Sequence, residues 1–476
     1  MTPTVQPTAG PPPSRTALLC ALMIGSTIAV FLLVDRLGAG LVAPGAPGGS
    51  LPRRAPGSGA DLFASVLLAL VVVILTARAV GAFFGWLRQP PVIGEVIAGI
   101  LLGPSLLGRV APEISSYVFR PEMLPSLGVL AQIGVTLFIF LVGMELDTDL
   151  IRERSPTAAI ISVASMTTAF AMGEVLALWL YPRLSTREVP FGLFALFLGV
   201  AMSVTAFPVL VRILTDRGIQ RTGVGALAIS CAGVDDVAAW CLLAFVSSMS
   251  SARLAGAWWT LGLTLGYIAF VLAVVRPLMR DLMRRHERRG VPTEVSLGLV
   301  VLAMLMSALA TEWIGIHALF GAFLLGATIP HDSRLARELG RKLRDFVVVL
   351  FLPAFFAFTG LRTQLDLVHG AGQWGLCLVI ILVACLGKFG GTAAASRMIG
   401  LDWRHSVALG ALMNTRGLME LIVLNVGLDQ GVISPALFSM MVVMAVVTTL
   451  AAAPALDLLG RWSLSTPGAA SPPSSS

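Results

Sequence analysis

The sequence predicts an all-α polytopic membrane protein, and three observations carry that prediction. Residues of the set Ala, Val, Ile, Leu, Met, Phe, Trp, Tyr and Cys fill 56% of the 476 positions, and charged residues only 12%. A soluble chain carries roughly 25% charged residues, so this much apolar surface has to face lipid. Mean hydropathy is +0.88. The apolar residues are gathered into continuous runs of bilayer length, and such runs cross lipid as helices, which satisfy their own backbone hydrogen bonds. This composition disfavours a soluble enzyme, a nucleic-acid binder and a disordered protein. The formal charge of +7 marks no nucleic-acid face, because most arginines fall between the apolar runs. Cys20, Cys231, Cys241, Cys377 and Cys385 lie inside apolar runs without metal-ligand spacing and read as small core residues.

The elements follow in order. Residues 1–61 comprise a Pro/Thr-rich start expected to be disordered, an apolar run at 17–34 and a Gly/Pro/Ala-rich linker. The run at 17–34 fits a signal peptide, with Arg15 as its basic flank, or an extra spanning helix; its length favours the helix. The transmembrane body is expected at 62–459. Its spans are predicted at 62–86, 91–107, 125–146, 157–180, 190–214, 222–249, 256–278, 293–311, 315–330, 345–362, 373–397, 404–427 and 434–459. Each approaches the roughly 17–25 residues a bilayer requires. Residues 460–476 form a Pro/Ser/Ala-rich tail expected to be disordered, with no soluble domain after it.

One side of these spans holds more than twice as many Lys and Arg residues in its connections as the other, including clusters at 276–289 and 334–344. That side is predicted to be cytoplasmic, which places the C-terminus inside. Ile93–Gly103 is echoed by Ile316–Gly326, and Gly143-Met144-Glu145 by Gly360-Leu361-Arg362. Six spans, one connector at 256–278 and six more spans put the two halves in opposite orientations, an inverted repeat.

A charge at a helix centre costs about 2.5–3.5 kcal/mol on the insertion scale, so charges inside the spans need a reason. Asp235, Asp236, Lys388 and Glu420 lie deepest. Adjacent residues on a helix point about 100° apart, so Asp235 and Asp236 cannot serve one point. Two carboxylates this close resist double ionisation and titrate as a coupled pair. Such a group holds a proton or a hard cation, not both. Only two of the 33 basic residues are lysines: Lys342, read as lying in a loop, and Lys388 in mid-span. Lysine can lose its proton when buried and arginine cannot, so Lys388 fits a group whose charge changes during a cycle, or a static partner of one aspartate.

Two spans carry helix breakers near their middles. Pro208 follows Ser203-Val204-Thr205-Ala206-Phe207, and Asn414-Thr415-Arg416-Gly417 interrupts 404–427. These are corresponding spans of the two halves, and matched broken helices point to a transport site. Freed carbonyls and the Thr205 and Thr415 hydroxyls are candidate cation ligands. Arg416 and Glu420, four apart, share a face. His317 reads as a core or helix-end residue.

Five stretches resemble the monovalent cation:proton antiporter-2 family, with wording nearest to plant-type cation/proton exchangers. They are Arg88–Leu107 (RQPPVIGEVIAGILLGPSLL), Phe140–Asp147 (FLVGMELD), Ser203–Leu214 (SVTAFPVLVRIL), Ala232–Trp240 (AGVDDVAAW) and Asn414–Gly427 (NTRGLMELIVLNVG). The resemblance implies a thirteen-helix inverted-repeat fold with a dimerisation part and a mobile core, the core holding two crossed broken helices. It implies Asp236 as principal carrier of cation and proton, and Asp235 as its companion paired with Lys388. Ser203 and Thr205 complete the expected cation/proton site, with Pro208, Asn414, Thr415, Arg416, Gly417 and Glu420 at the crossing. An Asp-Asp pair with such a lysine goes with electrogenic exchange in relatives. The expected activity is exchange of Na⁺ or K⁺ for protons by alternating access, in a homodimer in the cell membrane. No cofactor, enzymatic step, nucleic-acid partner or nucleotide-gating domain is expected. A cation channel or channel-like potassium efflux system on the same fold is the alternative, and a sodium-coupled solute symporter a more distant one.

Overall fold

The computed structural model describes residues 59–87, 89–145, 155–185, 189–220, 222–251, 254–289, 293–330 and 333–460. The apolar run at 17–34, the rest of the expected N-terminal segment through residue 58, Asp147 and the tail from 461 lie outside the described residues. Among the described residues every regular element is a helix.

The first, α1 (Gly59–Trp86), shows how the spans divide their surface. Phe63, Leu67, Val71 and Leu75 recur every fourth residue and are exposed, whereas Ala69, Val73 and Ala77 are buried. The large apolar side chains face lipid and the small ones let neighbouring helices approach. There follow α2 (Pro91–Leu102), two short helices (Leu107–Val110 and Pro112–Val118), α3 (Leu124–Glu145) and α4 (Ser155–Leu184). The first broken pair is α5 (Phe191–Ser203) and α6 (Phe207–Asp216). Next come α7 (Gly223–Ser251), α8 (Leu254–Phe270), α9 (Arg276–Arg289), α10 (Thr293–Ile314) and α11 (Ala318–Thr328). Then α12 (Arg334–Phe346), α13 (Leu352–Arg362), α14 (Gly370–Cys385) and α15 (Gly391–Met398) lead to the second broken pair, α16 (Trp403–Met413) and α17 (Leu418–Asp429). The last is α18 (Pro435–Gly460).

Eleven helical stretches among the described residues are long and apolar enough to cross a membrane, and twelve if α16 and α17, bent by 43°, are one span. The expected span at 315–330 is the exception. It is α11, only 11 residues long, or about 16 Å, roughly half the hydrocarbon thickness. Gly315, at φ +92, turns the chain after α10, and His317 caps the new helix by accepting from Leu319 N–H at 3.5 Å. Hydropathy spreads over this turn, which is why the run reads as longer than its helix. Lys342 is also placed differently from the sequence reading. It lies on helix α12 rather than in a loop, because Ala336, Leu339 and Val347 bury one side of that segment while Arg337, Arg341, Lys342 and Arg344 stay exposed.

The repeat is visible in packing. An added Cβ on Gly103 would sit 2.6 Å from Gly360 O, and one on Gly326 would sit 3.1 Å from Gly143 Cα. Under the sequence repeat Gly103 corresponds to Gly326 and Gly360 to Gly143, so the two contacts are equivalents. The second helix of each half packs on the third of the other, with glycine at the crossing because no side chain fits there. These pairs, α2 with α13 and α3 with α11, form one group together with α1, which packs on α2. A second group, α4, α5, α6, α7, α15 and α16, surrounds the two chain breaks.

Candidate functional site

The two breaks meet in the interior. In the first, Val204, Thr205 and Ala206 are non-helical and buried between α5 and α6, with Val204 extended, and Pro208 falls in the first turn of α6. There its missing N–H costs no helical bond. Proline therefore starts the second half-helix. In the second break, Gly417 passes so close to α6 that an added Cβ would sit 2.8 Å from Val209 Cγ2. The breaks are joined directly by Ala206 N–H donating to Thr415 O at 3.0 Å.

Breaking a helix leaves its last carbonyls without partners, at the negative end of its dipole. At the end of α5 these are supplied by cations from elsewhere. Arg416, fully buried, donates to Ala201 O at 3.0 Å and Met202 O at 2.7 Å. Lys388, on a π-helical turn between α14 and α15, donates to Ser203 O at 2.6 Å. Arg416 is also paired with Glu420 at 2.8 Å, as the four-residue spacing predicts. Glu420 lies in the first turn of α17, where a negative charge suits the dipole. Thr449 of α18 accepts from Arg416 N–H at 3.0 Å. The freed carbonyls expected as cation ligands are thus largely occupied by protein donors.

Asp235 and Asp236 are fully buried on α7 and point differently, as adjacent helical residues must. Asp235 is saturated. Its Oδ2 accepts from Lys388 Nζ at 2.6 Å and from Thr205 Oγ1 at 2.8 Å, and its Oδ1 accepts from the Ser162 hydroxyl of α4. Thr205 also lies 3.1 Å from Met413 O and so binds the first break to the second. Asp236 has the opposite surroundings: neither carboxylate oxygen has a hydrogen-bond partner among the described residues. Glu420 leaves one oxygen without a donor, but Asp236 alone of these acids lacks partners on both.

The structure therefore brings Asp235, Asp236, Thr205, Lys388 and Arg416 to one crossing. Ser203 contributes through its carbonyl; its hydroxyl turns back to Val200 O at 2.8 Å. The Thr415 hydroxyl likewise bonds Leu412 O at 2.8 Å, and Asn414 reaches Cys385 Sγ at 3.4 Å. Neither Ser203 nor Thr415 offers its hydroxyl to the acid pair in this state. The sequence reading misses Ser162 and Thr449, because a lone hydroxyl in an apolar helix carries no distinguishing signal.

Two of the clefts among the described residues lie one beside each second half-helix. The first, ≈ 460 Å³, lies among α3, α6 and α12, lined by Phe138, Val142, Phe207, Pro208, Arg212, Thr215 and Arg344. The second, ≈ 30 Å³, lies among α3, α13 and α17 and the start of α11, lined by Gln132, His317, Phe358, Ile422, Asn425 and Asp429. As α6 and α17 are equivalents in the repeat, the cleft beside one is much larger than its counterpart beside the other.

Comparison with known proteins agrees with this architecture. The sodium/hydrogen exchanger transmembrane family model matches residues 64–461. The Na⁺/H⁺ antiporter NhaS4 of Synechocystis sp. is 41% identical over 391 residues, covering 82% of this chain and 95% of that protein. Cation/H⁺ antiporter 19 of Arabidopsis thaliana is 39% identical, covering 83% of this chain and 49% of its own. K⁺/H⁺ antiporter 1 of Saccharomyces cerevisiae is 32% identical, covering 83% and 47%. The chain thus spans about half the length of these plant and yeast relatives. The structure of the sodium proton antiporter MjNhaP1 from Methanocaldococcus jannaschii superposes with a TM-score of 0.60 at 15% identity, covering 83% of this chain and 100% of that one. That likeness concerns the fold.

Proposed function

The chain belongs to the sodium/hydrogen exchanger family, and from that premise we propose that it is a secondary antiporter exchanging Na⁺ or K⁺ for protons, with Asp236 as the carrier. The observation behind this reading is the contrast between the two acids. Asp235 is neutralised by Lys388, and Glu420 by Arg416. Asp236 is left as one buried carboxyl without a hydrogen-bond donor among the described residues. An isolated buried carboxylate is costly, so Asp236 is neutral with a proton or charged beside a bound cation. Exchange follows from that exclusivity. The only bond made and broken is the O–H of the Asp236 carboxyl, and no enzymatic step is assigned.

The clefts supply access. The larger one opens on the arginine-rich side, which we assign to the cytoplasm by the bias of its connections. A cation entering there displaces the proton from Asp236. The group carrying the breaks then moves against α3 and α13, the second cleft opens, and a proton displaces the cation outside. The names of the relatives support both Na⁺ and K⁺ as candidates. A homodimer in the cell membrane with an internal C-terminus belongs to the same proposal.

The test is a cation panel in proteoliposomes holding an imposed pH gradient, run with and without a membrane-potential clamp. Na⁺ or K⁺ should collapse the gradient saturably, and choline should not. Cation flux that leaves the gradient intact would refute exchange.

A further inference from the structure

The cycle proposed above requires the small cleft beside α17 to open, and its walls are tied together. Arg362, the last residue of α13, donates from Nη2 to Asp429 Oδ1 at 2.5 Å and from Nη1 to Asn425 Oδ1 at 3.0 Å. Asn425 donates from Nδ2 to Thr359 Oγ1 at 2.9 Å. Asn425 and Asp429 are one turn apart on α17, and Thr359 and Arg362 are one turn apart on α13. Two short side-chain rows therefore meet at the edge of the cleft, joining its α13 and α17 walls. The Arg362 guanidinium also stacks 5.0 Å from the centre of the Phe358 ring on its own helix. That contact preorganises the donor on α13 and leaves α17 as the wall that can leave.

Burial grades along the rows. The Arg362 and Asp429 side chains are 25% and 39% exposed, Asn425 is 7% exposed and Thr359 is fully buried. The charged contact is thus at the mouth and the neutral one beneath it. A partly exposed ion pair is weak, which suits a contact that has to break and reform in each cycle. The buried Lys388–Asp235 pair lies within the group carrying the breaks and need not separate for the cleft to open.

We propose that Arg362 is a positioning residue whose bonds to Asp429 and Asn425, with the Asn425–Thr359 bond below, latch this cleft shut and so set how the protein divides its time between its two facing states. The proposal rests on the antiporter reading, because only alternating access gives the cleft a reason to open. It goes beyond that reading by naming the contact that holds one side closed.

The test reads cleft opening without reading transport. Val426 lines the cleft and is 3% exposed. Val426→Cys, made in the full chain after replacing the five native cysteines, is exposed to a membrane-impermeant maleimide in intact membranes. Arg362→Gln should raise the labelling rate about three- to tenfold. The charge-swapped double variant Arg362→Asp with Asp429→Arg should bring it back toward the starting value, and Arg362→Lys should fall between. An unchanged rate with Arg362→Gln would overturn the latch. So would a rise that the swap fails to reverse, which reflects loosening of the fold. Should Arg362→Gln not fold, Asp429→Asn is predicted to give the same rise. Cation exchange is measured in parallel on the chain with Asp236 intact. A latch-dependent rise in a chain that has Asp236 but exchanges no cation would support the latch and refute the antiporter reading. Active exchange with no rise would refute the latch alone.

Discussion

Asp236→Asn abolishes cation-driven proton movement. Asparagine keeps the shape of the side chain but can neither release a proton nor balance a cation. In everted vesicles with an imposed pH gradient, the response to Na⁺ or K⁺ should fall by a hundredfold or more, on the order of what loss of a sole carrier group produces. The protein should still assemble, because the substitution removes no protein hydrogen bond: both Asp236 oxygens lack partners among the described residues. Near-native exchange by this variant would remove Asp236 from the mechanism.

The second large effect is on stability. Lys388→Met leaves Asp235 fully buried with the Ser162 and Thr205 hydroxyls but without its counter-ion, and it frees Ser203 O at the end of α5. Removing one partner of a buried pair costs about 3–5 kcal/mol, because an uncompensated charge remains. The variant should lose thermal stability in detergent and express poorly at neutral pH. Removing both charges, with Asp235→Asn added, should restore most of the loss, since replacing a whole buried pair is often nearly neutral. A Lys388→Met protein as stable as the native chain would mean that the pair at 2.6 Å does not hold the crossing together.

How much of this could be read in advance depended on which physical cost each residue advertised. Asp235, Asp236 and Lys388 stood out because charge in lipid is expensive, and Pro208 and Asn414–Gly417 because they interrupt a helix. The structure brings these residues together at one crossing. Which aspartate meets Lys388 depends on the rotation of α7 against the π-helical turn at 386–390; spacing does not encode it, and only the family resemblance pointed to Asp235. Arg416 was legible as the partner of Glu420, four residues on, but not as the cap of Ala201 and Met202, whose carbonyls lie in the other half of the chain. The shortness of α11 was hidden because apolar residues continue through the turn at Gly315. Arg362 was legible only as the end of the span 345–362 and as part of the repeat echo at Gly360-Leu361-Arg362. Its role depends on Asp429, 67 positions later and brought near only by the fold.

The central claim is that one carboxyl, Asp236, holds a proton and a cation by turns. It is tested most directly by adding Na⁺ or K⁺ to the purified protein in weakly buffered detergent solution and recording pH. At a pH where the cation-free carboxyl is protonated, linkage predicts release of about one proton per cation bound, and none from Asp236→Asn. Cation binding without proton release, or release that persists in Asp236→Asn, would contradict it.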